Sequence, residues 1–271
     1  MLKDISIGQF FPGKSIVHKL DPRLKLILTM VYVVVLFLLK NPLSYILAIL
    51  FLVVINLCAK IPLKIVAKSI KPILPLILFT SVLNLFFVSG TIILFKFWIF
   101  TISLEGIKLA IMMSVRIVCL IIGTSLLTYT TSPIALTDAI ERLFKPLKYV
   151  KFPVHEMAMM MTIALRFIPT LIEETDKIMS AQKARGADLE TGSLIKRAKA
   201  LIPILIPLFV SAFRRAEELA LAMECRCYRG GEGRTRMKQL HLAFSDYMVI
   251  IGLGIFFTLM ILLDLWMPVL I

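Results

Sequence analysis

Long apolar runs separated by short polar segments make up most of the chain. Five runs are predicted to be membrane-spanning helices, and they cover residues 24–39, 43–58, 72–88, 104–128 and 247–266. A helix of about 20 apolar residues crosses the hydrocarbon core of a bilayer, and tight polar breaks such as Lys40-Asn41-Pro42 separate the runs. The pattern therefore predicts an all-α integral membrane protein with about five transmembrane helices.

The segment from 129 to 245 has a different pattern, in which apolar residues recur about every 3.6 positions opposite charged ones. Two amphipathic helices are predicted here, one following Pro169 and one following Pro207. The second has an apolar stripe formed by Phe209, Ala212, Phe213, Ala216, Leu219, Ala220 and Met223. Small residues spaced four apart let helix backbones approach closely, so we expect the two helices to cross in contact at the alanines.

These patterns divide the chain into three parts. Residues 1–128 are the N-terminal membrane region with four transmembrane helices, 129–245 the cytoplasmic or interfacial region of long amphipathic coupling helices, and 246–271 the last transmembrane helix. One short connection contains four lysines and no acid, at positions 60, 64, 68 and 71, and the positive-inside rule places it in the cytoplasm. Five spans then put the N-terminus in the cytoplasm and the C-terminus outside the cell.

The composition also indicates a membrane protein, and the sequence argues against nucleic-acid binding, a metal site and a catalytic site. Of the 271 residues, 59% are hydrophobic, and the net charge of +14 is typical of basic residues kept on the cytoplasmic side rather than of nucleic-acid binding. His18, His155 and His241 are far apart, and the predicted spans contain no pair of acids, so neither a metal site nor a catalytic site is predicted. Arg116 is costly in hydrocarbon and is expected to make an internal polar contact.

The stretch from Gly8 to Ser15 matches the phosphate-loop pattern of glycine, four residues, glycine, lysine and serine. A phosphate loop needs a strand before it and a helix after it, so that backbone amides converge on the phosphates. Only seven residues precede Gly8, and Pro12 lacks an amide proton. We therefore expect this chain not to bind ATP.

Both amphipathic helices are predicted to end at an arginine, in Ala184-Arg185-Gly186 and in Cys225-Arg226-Cys227. Capping alone explains each arginine, because the end of a helix favours a cation and glycine tolerates the positive φ that follows. Two such ends in one segment also suggest a role in binding. Guanidinium groups bind carboxylates bidentately, so a matched pair of arginines suits two acidic pockets. We expect both tips to be exposed and close together on one rigid scaffold.

Four methionines crowd into a single apolar run, at Met157, Met159, Met160 and Met161. Methionine adapts its shape to irregular or changing partners. From the sequence these side chains are as consistent with ordinary core filling as with a docking face.

The sequence resembles the transmembrane coupling (T) component of energy-coupling factor transporters, the EcfT/CbiQ family, over nearly its whole length. The resemblance lies in Ser15-Ile16-Val17-His18-Lys19-Leu20-Asp21-Pro22-Arg23-Leu24-Lys25-Leu26, in Thr131-Ser132-Pro133 with Asp138-Ala139-Ile140-Glu141, and most specifically in the Ala-Arg-Gly motif at Arg185. The second motif departs from the family pattern, because cysteines replace both neighbours of Arg226. Tyr228-Arg229-Gly230 is an alternative placement for it.

The resemblance implies an importer of vitamins or metal ions in which different subunits perform different steps. Two cytoplasmic ABC-type ATPases hydrolyse ATP, a substrate-capture (S) subunit binds the solute within the bacterial cell membrane, and the T component joins them. This chain would then not be an enzyme and would bind no cofactor, because the ATPases bind ATP and Mg²⁺. Arg185 and Arg226 would enter grooves on the two ATPases, and the four methionines would dock one or several S subunits. A self-contained permease and, less strongly, a polytopic membrane enzyme are the alternatives.

Overall fold

The computed structural model describes residues 10–88, 93–97, 100–187, 193–231 and 242–266; Gly8, Gln9 and His241 lie outside this part of the chain. Within it the elements are α1 (Ile16–Lys19), α2 (Pro22–Leu38), α3 (Pro42–Ala59), α4 (Leu63–Ile70), α5 (Leu74–Phe87), β1 (Ile93–Phe97), β2 (Phe100–Ser103), α6 (Leu104–Thr130), α7 (Pro133–Leu143), α8 (Val154–Ala184), α9 (Leu194–Cys225) and α10 (Phe244–Trp266). Short 3-10 turns at Lys71–Ile73 and Lys145–Val150 connect neighbouring helices.

Helices form nearly all of the regular structure, which confirms the all-α prediction. The strands β1 and β2 pair antiparallel in a short hairpin, where the sequence indicated only an apolar linker. Four helical stretches of the described chain are long and apolar enough to cross a membrane: Pro42–Ala59, Leu63–Phe87, Leu104–Thr130 and Phe244–Trp266. The helix α2 has 17 residues, at the lower limit for a span, so the count of five spans stays a prediction.

The third span begins earlier than the sequence indicated. Its first residues, Leu63–Ile70, were expected in a connection because of their lysines, but they form α4 and continue through one 3-10 turn into α5. The lysines at 64, 68 and 71 follow helical spacing, while Val66 on another side of α4 is buried. The prediction placed this helix boundary wrongly because it relied on the charge of the lysines. An amphipathic helix accommodates a lysine on every turn.

The phosphate-loop pattern leads into α1 without a preceding strand among the described residues 10–14. The Ser15 hydroxyl oxygen accepts a hydrogen bond from the His18 backbone amide at 3.3 Å and lies 2.6 Å from Nδ1 of the same histidine. In a phosphate loop this hydroxyl would bind the metal of the nucleotide, whereas here it caps a short helix.

The helices α2, α3, α6 and α10 enclose one apolar core. Its buried side chains are Tyr32, Val35, Leu36, Leu39, Tyr45, Ala48, Leu52, Cys119, Phe257 and Met260. The Tyr32 hydroxyl donates to the Cys119 carbonyl at 3.1 Å, so burial of this ring leaves its polar atom paired. Large apolar side chains remain exposed on the outer faces of these helices, as expected for a protein surrounded by lipid.

Polar contacts fix both ends of this bundle. At one end the buried Lys25 ammonium donates to the carbonyl of Thr130, the last residue of α6, at 2.9 Å. At the other end the Arg116 guanidinium donates to the carbonyl of Leu39 at 2.8 Å, which confirms the expected internal contact of this arginine. The helix α2 therefore runs antiparallel to the second half of α6.

Asp264, near the end of α10, caps the start of α3. Its carboxylate accepts hydrogen bonds from the backbone amides of Lys40 and Asn41 at 3.1 and 2.9 Å, and from the Ser44 hydroxyl at 2.8 Å. A helix N-terminus favours an anion because its first amides lack helical acceptors. This single carboxylate ties α10 to the turn between α2 and α3.

The chain divides into two compact units. One comprises Gly8–Ala139 with Gln239–Ile271 and contains the bundle described above. The other contains Ile140–Lys238, and with it α8 and α9. The predicted coupling motifs all lie in this second unit.

Candidate functional site

The helix α8 ends in a complete Schellman motif. Arg185 is its C-cap residue, and Gly186 follows with φ of +85°. The amide of Gly186 donates to the Lys183 carbonyl at 3.0 Å, and the amide of Ala187 donates to the Gln182 carbonyl at 3.0 Å. These two bonds reverse the chain at once and leave the arginine at the tip of the helix.

The helix α9 ends in the same motif, although its sequence differs. Arg226 is the C-cap, the amide of Cys227 donates to the Glu224 carbonyl at 2.8 Å, and the amide of Tyr228 donates to the Met223 carbonyl at 3.0 Å. Cys227 has φ of 55° and takes the left-handed position that glycine has in α8. Arg226 therefore matches Arg185 in backbone geometry, whereas Arg229 lies beyond the helix end.

Replacing Cys227 with glycine is expected to stabilise the end of α9 by about 1 kcal/mol, because a side chain in the left-handed conformation costs roughly that much. Hydrogen–deuterium exchange of the amides that close the motif, at positions 227 and 228, should slow about fivefold. Gly186→Cys is the matched control and should speed exchange at Ala187. Equal exchange in both variants and the parent chain would contradict the equivalence of the two ends.

Both arginine side chains are exposed to solvent. Within the described part of the chain neither Arg185 nor Arg226 forms a side-chain hydrogen bond or an ion pair. Each guanidinium group therefore keeps all of its donors available at a helix tip whose backbone is fixed by two hydrogen bonds. This arrangement can bind a carboxylate without first breaking an internal contact.

A cluster of half-buried polar side chains joins α8 to α9. The Glu174 carboxylate lies 3.0 Å from Nη2 of Arg215, and the Ser211 hydroxyl donates to the same carboxylate. The Ser211 hydrogen bond and the nearby Arg215 charge hold the pKa of Glu174 below its usual value, although partial burial opposes them. The carboxylate is therefore ionised at neutral pH, and the contact weakens only when acid protonates it.

The two helices run antiparallel. Glu174 contacts Ser211, whereas Gln182, further along α8, donates to the carbonyl of Pro203, earlier on α9, at 3.4 Å. An α-helix rises about 1.5 Å per residue, so the stretch of α9 from Pro203 to Arg226 covers about 35 Å. Arg185 and Arg226 thus lie at opposite ends of the pair rather than close together as expected.

A second contact agrees with this direction. A Cβ atom added at Gly231, just beyond α9, would lie 2.6 Å from Cδ2 of His155 at the start of α8. Nδ1 of His155 also lies 3.0 Å from the Glu141 carboxylate at the end of α7. The chain leaving α9 therefore returns to the first turn of α8, and a side chain at position 231 would displace the His155 imidazole.

The expected contact between α8 and α9 is present, but only part of the predicted apolar stripe lies on the less exposed side of α9. Ala216 and Ala220 are exposed, as are the flanking phenylalanines at 209 and 213. The less exposed side of α9 keeps Ala212, Leu219 and Met223 of the predicted stripe and adds Ile204, Leu208, Ser211 and Arg215. The Glu174 cluster explains the difference, because its ion pair and hydroxyl bond turn Ser211 and Arg215 towards α8.

The methionine run lies in the first turns of α8. Met157, Met160 and Met161 are exposed and Met159 is half-buried, whereas Val154 and Ala158 in the same turns are buried. Three of the four side chains therefore reach the surface, and apolar residues of smaller size face inwards. Core filling does not account for these three.

Sequence reasoning missed the residues that hold the two helices together. None of the three stands out in the sequence: Glu174 is one of several charged residues on α8, and Ser211 and Arg215 lie outside the apolar stripe of α9. Their spacing gives a partial signal, since Ser211 and Arg215 are four apart and share one helix face. Their common partner 37 residues away in the chain has no sequence signature.

Comparisons with known proteins agree on the family to which the chain is similar. Residues 13–237 match the family model CbiQ, described as cobalt transport protein. A protein of Ruminiclostridium cellulolyticum named energy-coupling factor transporter transmembrane protein EcfT is 54% identical over 97% of this chain and 98% of its own length. Proteins of the same name from Clostridium kluyveri and Bacillus subtilis are 53% and 48% identical over 98% and 93% of this chain, and over 99% and 96% of their own lengths.

Proposed function

Because the chain belongs to the CbiQ family, as the transmembrane component of an energy-coupling factor transporter, we propose that it transmits ATP hydrolysis by two cytoplasmic ATPase subunits to a substrate-capture S subunit. It is a transport subunit of a membrane complex. In this proposal the ATPases bind ATP and Mg²⁺, the S subunit binds the solute, a vitamin or a metal ion, and this chain connects them.

One observation carries the proposal: two helices end in the same backbone motif, each with an exposed arginine that has no side-chain partner among the described residues. Arg185 and Arg226 are separated by about 35 Å of helix, too far for one binding pocket. Two copies of the same feature at opposite ends of a helix pair fit two similar partners, one at each end. Each partner would supply a groove with an acidic side chain for bidentate binding of the guanidinium group.

The contact between the helices supports transmission of movement. Glu174 binds both Ser211 and Arg215, so a force applied at one arginine tip reaches the other helix through charged hydrogen bonds, not through apolar contacts alone. The pair would then respond as one body when the two ATPases approach each other on binding ATP. The predicted orientation, with a cytoplasmic N-terminus and an extracellular C-terminus, places this region on the ATPase side of the membrane.

The methionine face is proposed to dock the S subunit. Met157, Met160 and Met161 give an exposed apolar surface that can adjust to different partners, and Met159 lies half-buried beside them. A surface of this kind suits exchange of several S subunits with different solutes on one coupling subunit. The identity of the solute would then be decided by the S subunit alone.

Co-purification tests the function and the docking face together. The affinity-tagged full chain, extracted from its native host in mild detergent, should recover two ABC-type ATPases and at least one small membrane protein. Replacing the four methionines at 157, 159, 160 and 161 with leucine should lower recovery of S subunits severalfold and leave recovery of the ATPases unchanged. The matched control replaces Met112 and Met113 of α6 with leucine and should recover every partner.

Two results would count against these assignments. Unchanged recovery of every S subunit by the four-leucine variant would remove the docking face but leave the ATPase proposal intact. A chain that recovers no ATPase and binds solute when purified alone would contradict coupling and favour a self-contained permease.

A further inference from the structure

Within the described part of the chain, the arginine inside α6 has only neutral partners. Arg116 donates from Nε to the Tyr45 hydroxyl at 2.6 Å and from Nη2 to the Leu39 carbonyl at 2.8 Å, and its Nη1 lies 3.8 Å from the Met113 sulfur. Its guanidinium carbon also lies 5.6 Å from the centre of the Tyr45 ring. Among the described residues no carboxylate forms an ion pair with it, although the side chain is half-buried. A cation in this position attracts an anion, because low polarity strengthens the attraction.

A cavity opens beside this guanidinium group. Its volume is about 130 Å³, and it is lined by Lys40, Glu105, Lys108, Leu109, Met112, Met113 and Arg116. Three of the charged lining groups are cations and one is a carboxylate, which leaves a positive excess. The Asp264 carboxylate also lies near, but the amides of Lys40 and Asn41 and the Ser44 hydroxyl already bind it at the start of α3.

The cavity lies where the apolar surface of the bundle meets its polar end. Lys40 belongs to the turn between α2 and α3, and Phe37 and Leu38 just before that turn are 60% and 56% exposed. Leu43, just after it, is exposed too, and Ile111 on α6 is 59% exposed. Acyl chains would cover such side chains, and a phosphate attached to them would lie at the depth of the lysines.

We propose that this cavity binds the phosphate of an anionic phospholipid headgroup, with Lys40, Lys108 and Arg116 as the cationic contacts. Arg116 has no carboxylate bonded to it among the described residues, and the cations of the lining outnumber its one carboxylate, Glu105, so a phosphate oxygen can accept from the remaining N–H groups of Arg116. The two lysines, both exposed, close over the headgroup from the turn and from α6. The apolar wall of Leu109, Met112 and Met113 takes the first carbons of an acyl chain. The site is built entirely from residues of the bundle unit and does not depend on the proposed function.

Lipid binding by the full chain tests the site. The delipidated protein in neutral detergent is titrated with short-chain phosphatidylglycerol, with phosphatidylcholine of equal chain length and with inorganic phosphate, and bound lipid is counted by native mass spectrometry. Phosphatidylglycerol is expected to bind at least tenfold more tightly than the other two. Lys40→Gln with Lys108→Gln should abolish that preference, and Arg116 is kept in place because it closes the end of α2.

A matched pair of lysines elsewhere provides the control. Lys64→Gln with Lys68→Gln removes two charges from α4, and this variant should bind phosphatidylglycerol as the parent chain does. Equal affinity of the Lys40 and Lys108 variant and the parent would overturn the proposal, as would equal affinity for the two lipids. Inorganic phosphate that binds as tightly as phosphatidylglycerol would overturn the lipid assignment, since the acyl chain would then contribute nothing.

Discussion

Replacing Arg185 and Arg226 together with alanine is expected to abolish stable association with the ATPases and with it ATP-driven uptake. Truncating one arginine of a buried, hydrogen-bonded charge pair costs about 2–5 kcal/mol, because the partner carboxylate is left desolvated without its cation. Each replacement alone should therefore weaken ATPase binding by at least about 30-fold, and both together should remove it from a pull-down. Uptake is measured in vesicles that contain the complete transporter.

The fold of the variant should survive, which separates docking from stability. Arg185 and Arg226 are exposed and lack internal partners in the described chain, so surface replacements there should change the free energy of unfolding by less than about 0.5 kcal/mol. The matched control replaces Arg166 of α8 and Arg214 of α9, which are exposed arginines within the helices. Arg229→Ala tests the alternative placement and should retain binding.

Loss of uptake in the control variant would show that net charge, not position, matters. Full uptake by the double variant of Arg185 and Arg226 would contradict the coupling role of the two helix ends. Loss of binding in Arg229→Ala alone would move the second docking site beyond the end of α9.

Asp264→Asn is expected to destabilise the membrane bundle by about 2–4 kcal/mol. The carboxylate accepts bonds from two backbone amides and one hydroxyl at the start of α3, and it is 9% exposed. An amide of the same shape loses the negative charge that the helix N-terminus favours, and its NH₂ group faces a donor. The melting temperature of the purified chain in detergent, or its midpoint in a denaturing detergent, measures the loss.

Two control variants test whether the loss of stability comes from the Asp264 cap. Glu217→Gln neutralises an exposed carboxylate on α9 and should leave the melting temperature unchanged. Ser44→Ala removes a single donor to Asp264 and should cost less than Asp264→Asn, since both backbone amides keep their acceptor. A melting temperature for Asp264→Asn equal to that of the parent would show that the cap contributes nothing to the bundle.

The helical character of the chain followed from its sequence, whereas one helix boundary and one contact face did not. Apolar run length predicts helices that cross a bilayer, because an unsatisfied backbone in hydrocarbon excludes other spanning segments. The lysines of α4 hid a helical segment, since charge was given more weight than its helical spacing. Ala216 and Ala220 of the apolar stripe were expected at the contact with α8 but are exposed, because periodicity identifies an apolar face but not its partner.

The candidate site was predicted in part. The positions of Arg185 and Arg226 at helix ends followed from local signals, and the structure gives both the same capping motif. Their closeness was predicted wrongly, because sequence shows where helices end but not the direction in which they pack. The Cys227 backbone was also beyond sequence reasoning, since a left-handed cysteine is uncommon.

The sequence by itself determined what is local: apolar runs long enough to span a bilayer, amphipathic helices between them, and an arginine at the end of each coupling helix. Backbone hydrogen bonding and side-chain polarity act within a few residues, so these features can be read from neighbouring positions. The tertiary structure alone decided which distant groups meet. Glu174 with Ser211 and Arg215, and Asp264 with the start of α3, depend on the path of the whole chain, and that path sends the two arginines in opposite directions.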